Sequence, residues 1–236
     1  MFEQLDGFRH EFKYIEPEIN LIGIQSRLCV LMKKDPHVGA NGFYSIRSLY
    51  FDDYGDSYLT RNIDGVDERI KWRIRIYNCN TGHISLERKI RKSDLIKKQA
   101  CPIDLGTYKK IINRGAEISE SNPALLNMFI REIKTEALAP ATVVEYERWP
   151  FVSSGGGVRV TIDRNIRSSC EFDDFLSGEA IASRPLLPRG CNLIEVKYDT
   201  FLPDHIAHAV EHGRMRRETF SKYYLARKFP HGGRRI

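Results

Sequence analysis

The chain has 236 residues, a hydrophobic fraction of 42% and a formal net charge of +6, which suits one large soluble domain with a core that needs no covalent staple and an acidic partner. No run approaches the ~18–20 apolar residues of a membrane-spanning helix, and the opening Met1-Phe2-Glu3-Gln4-Leu5-Asp6 lacks the layout of a secretory signal, so the expected location is the cytoplasm. The cysteines (Cys29, Cys79, Cys101, Cys170 and Cys191) are dispersed without C-x-x-C spacing, which argues against a zinc or redox motif and for reduced thiols.

In chain order, the first element alternates with period two. Phe8, Phe12 and Tyr14 share a face with His10, opposite Arg9, Glu11 and Lys13, as in a strand. Leu21, Ile24, Leu28 and Leu31 then recur near helical spacing over 17–33, with Pro17 in the first turn. A strand is predicted over 46–51. In the next, over 71–77, Trp72, Ile74 and Ile76 oppose Lys71, Arg73 and Arg75. Around 84–90, Ile84, Leu86 and Ile90 share a face with Arg88, and Ser85, Glu87 and Lys89 take the other. Strand 95–99 and a short helix over 105–112 follow. Asn122 then Pro123 reads as N-cap and first helical residue, ahead of the stripe Leu126, Phe129, Ile130 and Ile133. Strand 143–149 leads to a turn at Gly155-Gly156-Gly157. In 158–163, Val158, Val160 and Ile162 oppose Arg159, Thr161 and Asp163. In 193–199, Ile194, Val196 and Tyr198 oppose Glu195, Lys197 and Asp199. A helical pair over 204–212 and 218–228 breaks near Gly213, and the tail 231–236 is expected to be disordered. Many strands with few intervening helices argue for an antiparallel α+β architecture in one domain, with its core over 9–229.

The polar strand faces carry Arg and Lys beside Glu repeatedly. One reading is a sheet with its charged face in water. The other is a closed barrel whose charged faces point inward, with the amphipathic helices on an apolar exterior. Periodicity does not choose between them. If the faces point inward, Lys13, Arg73, Arg75, Lys89, Lys98, Arg148, Arg159, Lys197 and Lys222 share a lumen with the smaller acidic set Glu11, Glu87 and Glu195. Two like charges ~5 Å apart at an effective dielectric of ~20 repel by roughly 3 kcal/mol. Such a lumen must be wet and hold anions, and a triphosphate or polyphosphate fits it.

The stretches R-H-E-F-K-Y (9–14), S-L-Y-F-D-D (48–53), K-W-R-I-R-I-Y (71–77), L-E-R-K (86–89), Y-E-R-W-P-F (146–151), V-R-V-T-I-D-R-N-I-R (158–167), L-I-E-V-K-Y (193–198) and F-S-K-Y (220–223) together resemble the VTC-type polyphosphate polymerase domain of the triphosphate tunnel fold. The resemblance implies an antiparallel β-tunnel, a closed barrel with a basic lumen and helices packed outside. It implies transfer of the γ-phosphoryl of ATP to a polyphosphate chain with Mn²⁺ or Mg²⁺. In that reading Arg73 and Arg75 grip nucleotide phosphates. Lys13, Lys89, Arg148, Arg159 and Lys98 (or its neighbour Lys97) complete the cage, joined by Lys197. Glu195 is the leading metal ligand, with Glu87 as a second, and Ser221 and Lys222 sit at a tunnel mouth. Thr219 stands where yeast-type polymerases carry a further Lys, and no SPX-like domain or membrane anchor is seen, which implies a stand-alone bacterial-type member.

Two other functions stay open: a non-catalytic polyphosphate-binding module, and a CYTH-like triphosphatase. The second would carry Glu-x-Glu-x-Lys on its first strand, where this chain has Arg9-His10-Glu11-Phe12-Lys13. No P-loop pattern occurs. His205, His208 and His212 share a helical face that reads as solvated surface before it reads as a metal site. The basic residues alternate along strands instead of forming a surface run, so no nucleic-acid partner is expected.

Overall fold

The computed structural model describes residues 8–93, 95–153, 155–211, 213 and 215–228. The expected disorder of the tail 231–236 concerns residues outside this set. In chain order the elements are β1 (Phe8–Pro17), α1 (Glu18–Leu31), β2 (Lys33–Lys34), β3 (Tyr44–Asp52), α2 (Ser57–Ile63), β4 (Glu68–Tyr77), β5 (Asn80–Lys92), β6 (Leu95–Ile103), α3 (Leu105–Ile112), α4 (Ala124–Glu136), β7 (Ala139–Val152), β8 (Arg159–Ser169), β9 (Arg184–Pro185), β10 (Cys191–Tyr198), α5 (Asp204–Val210) and α6 (Lys222–Lys228).

All the strand pairings are antiparallel, in the order β7-β3-β4-β5-β6-β1-β10-β8, and β8 returns to pair with β7. That last pairing closes the sheet into an eight-stranded barrel. The two-residue strands β2 and β9 attach to β7 and β8 at its rim. Closure removes sheet edges and forces alternate residues of each strand into the lumen.

The apolar residues point outward, and helices cover them. Leu126, Phe129 and Ile130 of α4, with Tyr108 and Ile111 of α3, pack on Trp72, Ile74, Ile76 and Leu86. Phe129 meets Trp72 at 4.8 Å with the rings tilted by 36°, and Phe51 edge-on at 5.0 Å. Leu21, Ile24 and Leu28 of α1 and Ile206, Ala209 and Val210 of α5 cover Val160, Ile162, Ile194 and Val196. Each such side chain, fully buried, contributes roughly 1.5–3 kcal/mol.

The last helix lies at one end of the barrel. Phe220, Tyr223 and Ala226, on and just before α6, pack on inward-facing Tyr44, Ile46, Tyr50, Val144, Tyr146, Ile166 and Leu193. So α6 fills one end of the barrel. Corrections concern helix starts. Pro123 occupies the N-cap position, with Asn122 one residue earlier donating to the Glu117 carbonyl at 3.0 Å. Pro17 is likewise the N-cap of α1. Helix α2 was not expected. It is entered through Asp56 at φ +52°, and the Asp52 carboxylate accepts from the Tyr58 and Leu59 amides at 3.0 and 3.1 Å. The glycine turn between β7 and β8 is required, since a Cβ on Gly157 (φ +61°) would lie 1.9 Å from the Asp199 carboxylate.

Candidate phosphate-binding lumen

The barrel registers bring the inward charges together. Arg73 of β4 is paired with Glu87 of β5, and Lys13 and Glu11 of β1 with Glu195 and Lys197 of β10. Three acidic hubs result, each shared among several cations.

The first hub is Glu87, 1% exposed. Its Oε2 accepts from Arg73 at 2.6 Å and lies 3.5 Å from Arg75, and its Oε1 accepts from Lys98 at 3.1 Å. Burial alone would raise its pKa. Arg73, Arg75 and Lys98 outweigh burial and hold it well below the usual carboxylate range. The same arginines use hydroxyl acceptors, Arg73 donating to Tyr50 at 3.1 Å and Arg75 to Ser48 at 3.0 Å and Tyr146 at 3.3 Å.

The second hub is Glu11. Lys13 lies 2.9 Å away, Lys89 3.0 Å and Lys197 3.6 Å. Lys13 also donates to the Phe220 carbonyl at 2.7 Å. Burial, joined by Lys13 and Lys197, outweighs the attraction of Glu11 and pulls the Lys89 pKa down to about 7.

The third hub joins Asp163 and Glu195. Arg148 grips Asp163 through Nε and Nη2, both at 2.7 Å, and reaches Glu195 at 3.2 Å. Lys222 bridges the same acids at 2.7 and 3.0 Å, and Lys197 adds a contact to Glu195 at 3.0 Å. Burial opposes ionisation of both acids, but the surrounding cations keep their pKa values low.

Every inward cation expected from the sequence therefore reaches a named partner. Arg159 turns to Asp35 and the Tyr44 hydroxyl, each at 2.8 Å. Lys98, not Lys97, is the inward member of its pair, since Lys97 stands over the Phe8 ring. Lys222 is a buried bridge between two acids, on the helix that fills one end of the barrel. Ser221 precedes α6 and accepts from Lys71 at 3.0 Å. Glu87 and Glu195 have no partner in common and belong to separate hubs. Among the described residues no three His, Cys, Asp or Glu side chains are grouped to hold a metal. His205 and His208 lie on α5, and His212 lies outside the described residues.

Sequence reasoning passed over Asp163, Lys71, Tyr50, Tyr146, Tyr44 and Asp35. Asp163 shares parity with Arg159 and Lys71 with Arg73, which could have flagged them. Nothing local marks Asp35, which reaches Arg159 from the loop after β2. A cavity of about 190 Å³ opens beside the second hub, lined by Glu11, Lys13, Arg91, Ile96, Arg217, Glu218, Thr219 and Phe220. A wider groove outside, between α1, Trp149 and Arg164, contains none of the hub residues.

No described helix is long and apolar enough to cross a membrane. No curated protein matches the sequence. Among solved structures, a candidate adenylate cyclase from Bacillus halodurans is similar at 13% identity and a TM-score of 0.47, covering 86% of this chain and 87% of its own. The PH1819 protein of Pyrococcus horikoshii OT3 is similar at 15% identity and a TM-score of 0.43, covering 86% and 84%. The sequence matches the VTC domain over residues 8–231, nearly its whole length, and the chain belongs to the VTC domain family.

Proposed function

We propose that the protein is a polyphosphate polymerase that transfers the γ-phosphoryl of ATP to a polyphosphate chain inside the barrel, with Mn²⁺ or Mg²⁺. The observation that carries this reading is the convergence of Arg73, Arg75, Lys13, Lys89, Arg148, Lys197 and Lys222 on one lumen, where each carboxylate is shared by more than one cation. An entering phosphate chain exchanges those carboxylate contacts for phosphate oxygens.

Phosphoryl transfer needs positioning and charge neutralisation more than covalent help. Arg73 and Arg75 supply planar forks for phosphate oxygens, and the lysines supply mobile point charges. Glu195 and Asp163 would hold the divalent cation, which would supply charge neutralisation to the transferring phosphoryl group. Mg²⁺ is commonly held by one or two carboxylates with substrate phosphates. Glu195 beside Asp163 offers that donor set two carboxylates, which Arg148 and Lys222 bridge, while Glu87 is the one carboxylate of its hub with Arg73, Arg75 and Lys98.

One observation favours a second reading, a non-catalytic polyphosphate-binding module. Both Glu195 oxygens already accept from cations, Oε1 from Lys222 and Oε2 from Arg148 and Lys197. Incubation with ATP and Mn²⁺, followed by gel or ³¹P detection, separates the two. The polymerase reading expects metal-dependent polyphosphate. Tight polyphosphate binding without ATP consumption would leave the binding module.

A further inference from the structure

The β4–β5 hairpin carries charges in an arrangement that folding alone disfavours. Arg69 faces Arg91 and Lys71 faces Lys89 as successive cross-strand pairs of one parity. Like charges directly opposite destabilise a sheet. Lys89 is offset by Glu11 at 3.0 Å. Lys71 has no such offset among the described residues. Its ammonium donates to Asn62 Oδ1 at 3.1 Å and Ser221 Oγ at 3.0 Å, and stands 5.8 Å from the Tyr223 ring centroid.

The hydrogen-bond inventory is equally one-sided. Ser221 Oγ accepts from Lys71 and from the Tyr224 amide at 3.1 Å. A hydroxyl has two acceptor lone pairs and one donor proton, so Ser221 is left with a proton to give. An ammonium has three donors, and two of those on Lys71 are used. The Arg69 Nε nearby is buried without a hydrogen-bond partner. The groups facing Lys71 are Lys89 and Arg91 of β5, Lys13 of β1, Arg69 of its own strand, Asn62 of α2, and Ser221 and Tyr223 at α6. Burial first, then Lys89, Lys13, Arg69 and Arg91, hold the Lys71 pKa well below its ordinary value.

We propose that Lys71, with the Ser221 hydroxyl, forms a further phosphate subsite, which receives a later phosphate of a linear polyphosphate whose other end is held by Arg73 and Arg75. The proposal rests on the phosphate-chain reading of the lumen and names where that chain runs. At Lys71, an unused donor, cationic neighbours and no ion-paired carboxylate among the described residues describe an oxyanion site. The VTC resemblance assigns no role to Lys71. Arg75 and Lys71 are four residues apart on β4, roughly 13 Å at ~3.3 Å per residue. Pyrophosphate held between Arg75 and Arg73 stops short of Lys71, two residues or roughly 7 Å beyond Arg73, and a long chain does not.

The test is titration of the whole protein with pyrophosphate and with long-chain polyphosphate. Wild type is expected to bind both. Lys71→Met is expected to weaken long-chain binding at least tenfold and pyrophosphate binding less than twofold. Lys71→Arg, which keeps the charge, restores most of the long-chain affinity. Ser221→Ala weakens the long chain about threefold, and reads the same site should Lys71→Met not fold. Equal affinities of Lys71→Met and wild type for the long chain overturn the subsite and leave the lumen reading intact. An equal loss for both anions also overturns it, because it marks general disturbance. Wild type that binds neither anion overturns the lumen reading itself, and the subsite with it.

Discussion

The Lys222 ammonium lies 2.7 Å from Oδ2 of Asp163, with Asp163 fully buried and Lys222 nearly so. This contact ties the start of α6 to the centre of β8, and it fixes α6 as the element that fills one end of the barrel. Arg148 shares Asp163 at 2.7 Å through both Nε and Nη2. The carboxylate therefore holds two buried cations from two elements.

Asp163→Asn is expected to destabilise the fold by about 3–5 kcal/mol, the scale for breaking a buried pair, because Arg148 and Lys222 lose a counter-charge together. The folded Asp163 pKa is held low, so its contribution is present above the unfolded value, ~4, and is lost as pH falls through the folded value. Wild-type stability is expected to fall on acidification below about pH 4, and less steeply in Asp163→Asn. Denaturant unfolding between pH 3 and 7 measures both. Added polyphosphate is expected to recover part of the loss by offering anionic oxygens to the orphaned cations.

Lys89 gives a pH dependence near neutrality. Its folded pKa of about 7 lies below the ordinary lysine value, so the unfolded chain binds more protons between them. The Lys89 contribution to stability is then expected to grow as pH rises from about 7 towards the unfolded value of ~10.4. Anion affinity is expected to run the other way, because Lys89 gains charge as pH falls through about 7. Calorimetric triphosphate affinity is expected to be higher at pH 6 than at pH 8.5, with a smaller difference in Lys89→Met. An unchanged difference in that variant would assign the titration elsewhere.

Arg73→Ala and Arg75→Ala are each expected to weaken triphosphate binding by about 1.5–3 kcal/mol, the range for hydrogen bonds to charged groups. Lysine at either position restores only part, because the planar fork is lost. Binding is expected to weaken with added salt. Calorimetry with unaltered affinity in both alanine variants would remove β4 from the site.

Glu195→Gln separates catalysis from binding. The amide keeps the shape and removes the charge. If Glu195 holds the divalent cation, metal-dependent phosphoryl transfer falls by orders of magnitude, each tenfold being about 1.4 kcal/mol of barrier. Metal-free polyphosphate binding persists or tightens, since Lys222, Lys197 and Arg148 each lose one counter-charge. Turnover equal to wild type would leave Glu195 as a counter-charge only.

Strand parity was legible because side chains alternate strictly along a strand. Trp72 against Arg73, and Ile194 against Glu195, fall on opposite faces by sequence alone, and the helices that cover Trp72 and Ile194 carry recognisable apolar stripes. Helix α2 was not legible. It is short, and its start depends on the Asp52 carboxylate reaching the Tyr58 and Leu59 amides from the end of β3.

The sequence by itself determined which side chains share a face, that the faces are apolar or charged, and that the charged ones carry more cations than acids. Only the tertiary structure decided that those faces look inward. That outcome depends on pairing β7 with β8 and β1 with β6, contacts between segments whose own periodicity is the same in an open sheet. It also decided how the acids divide into hubs, because Glu87 and Glu195 differ in their across-barrel neighbours and not in their local pattern. The position of Lys222 follows from Phe220 and Tyr223 finding inward apolar residues at one end of the barrel, which no local signal around residue 222 encodes.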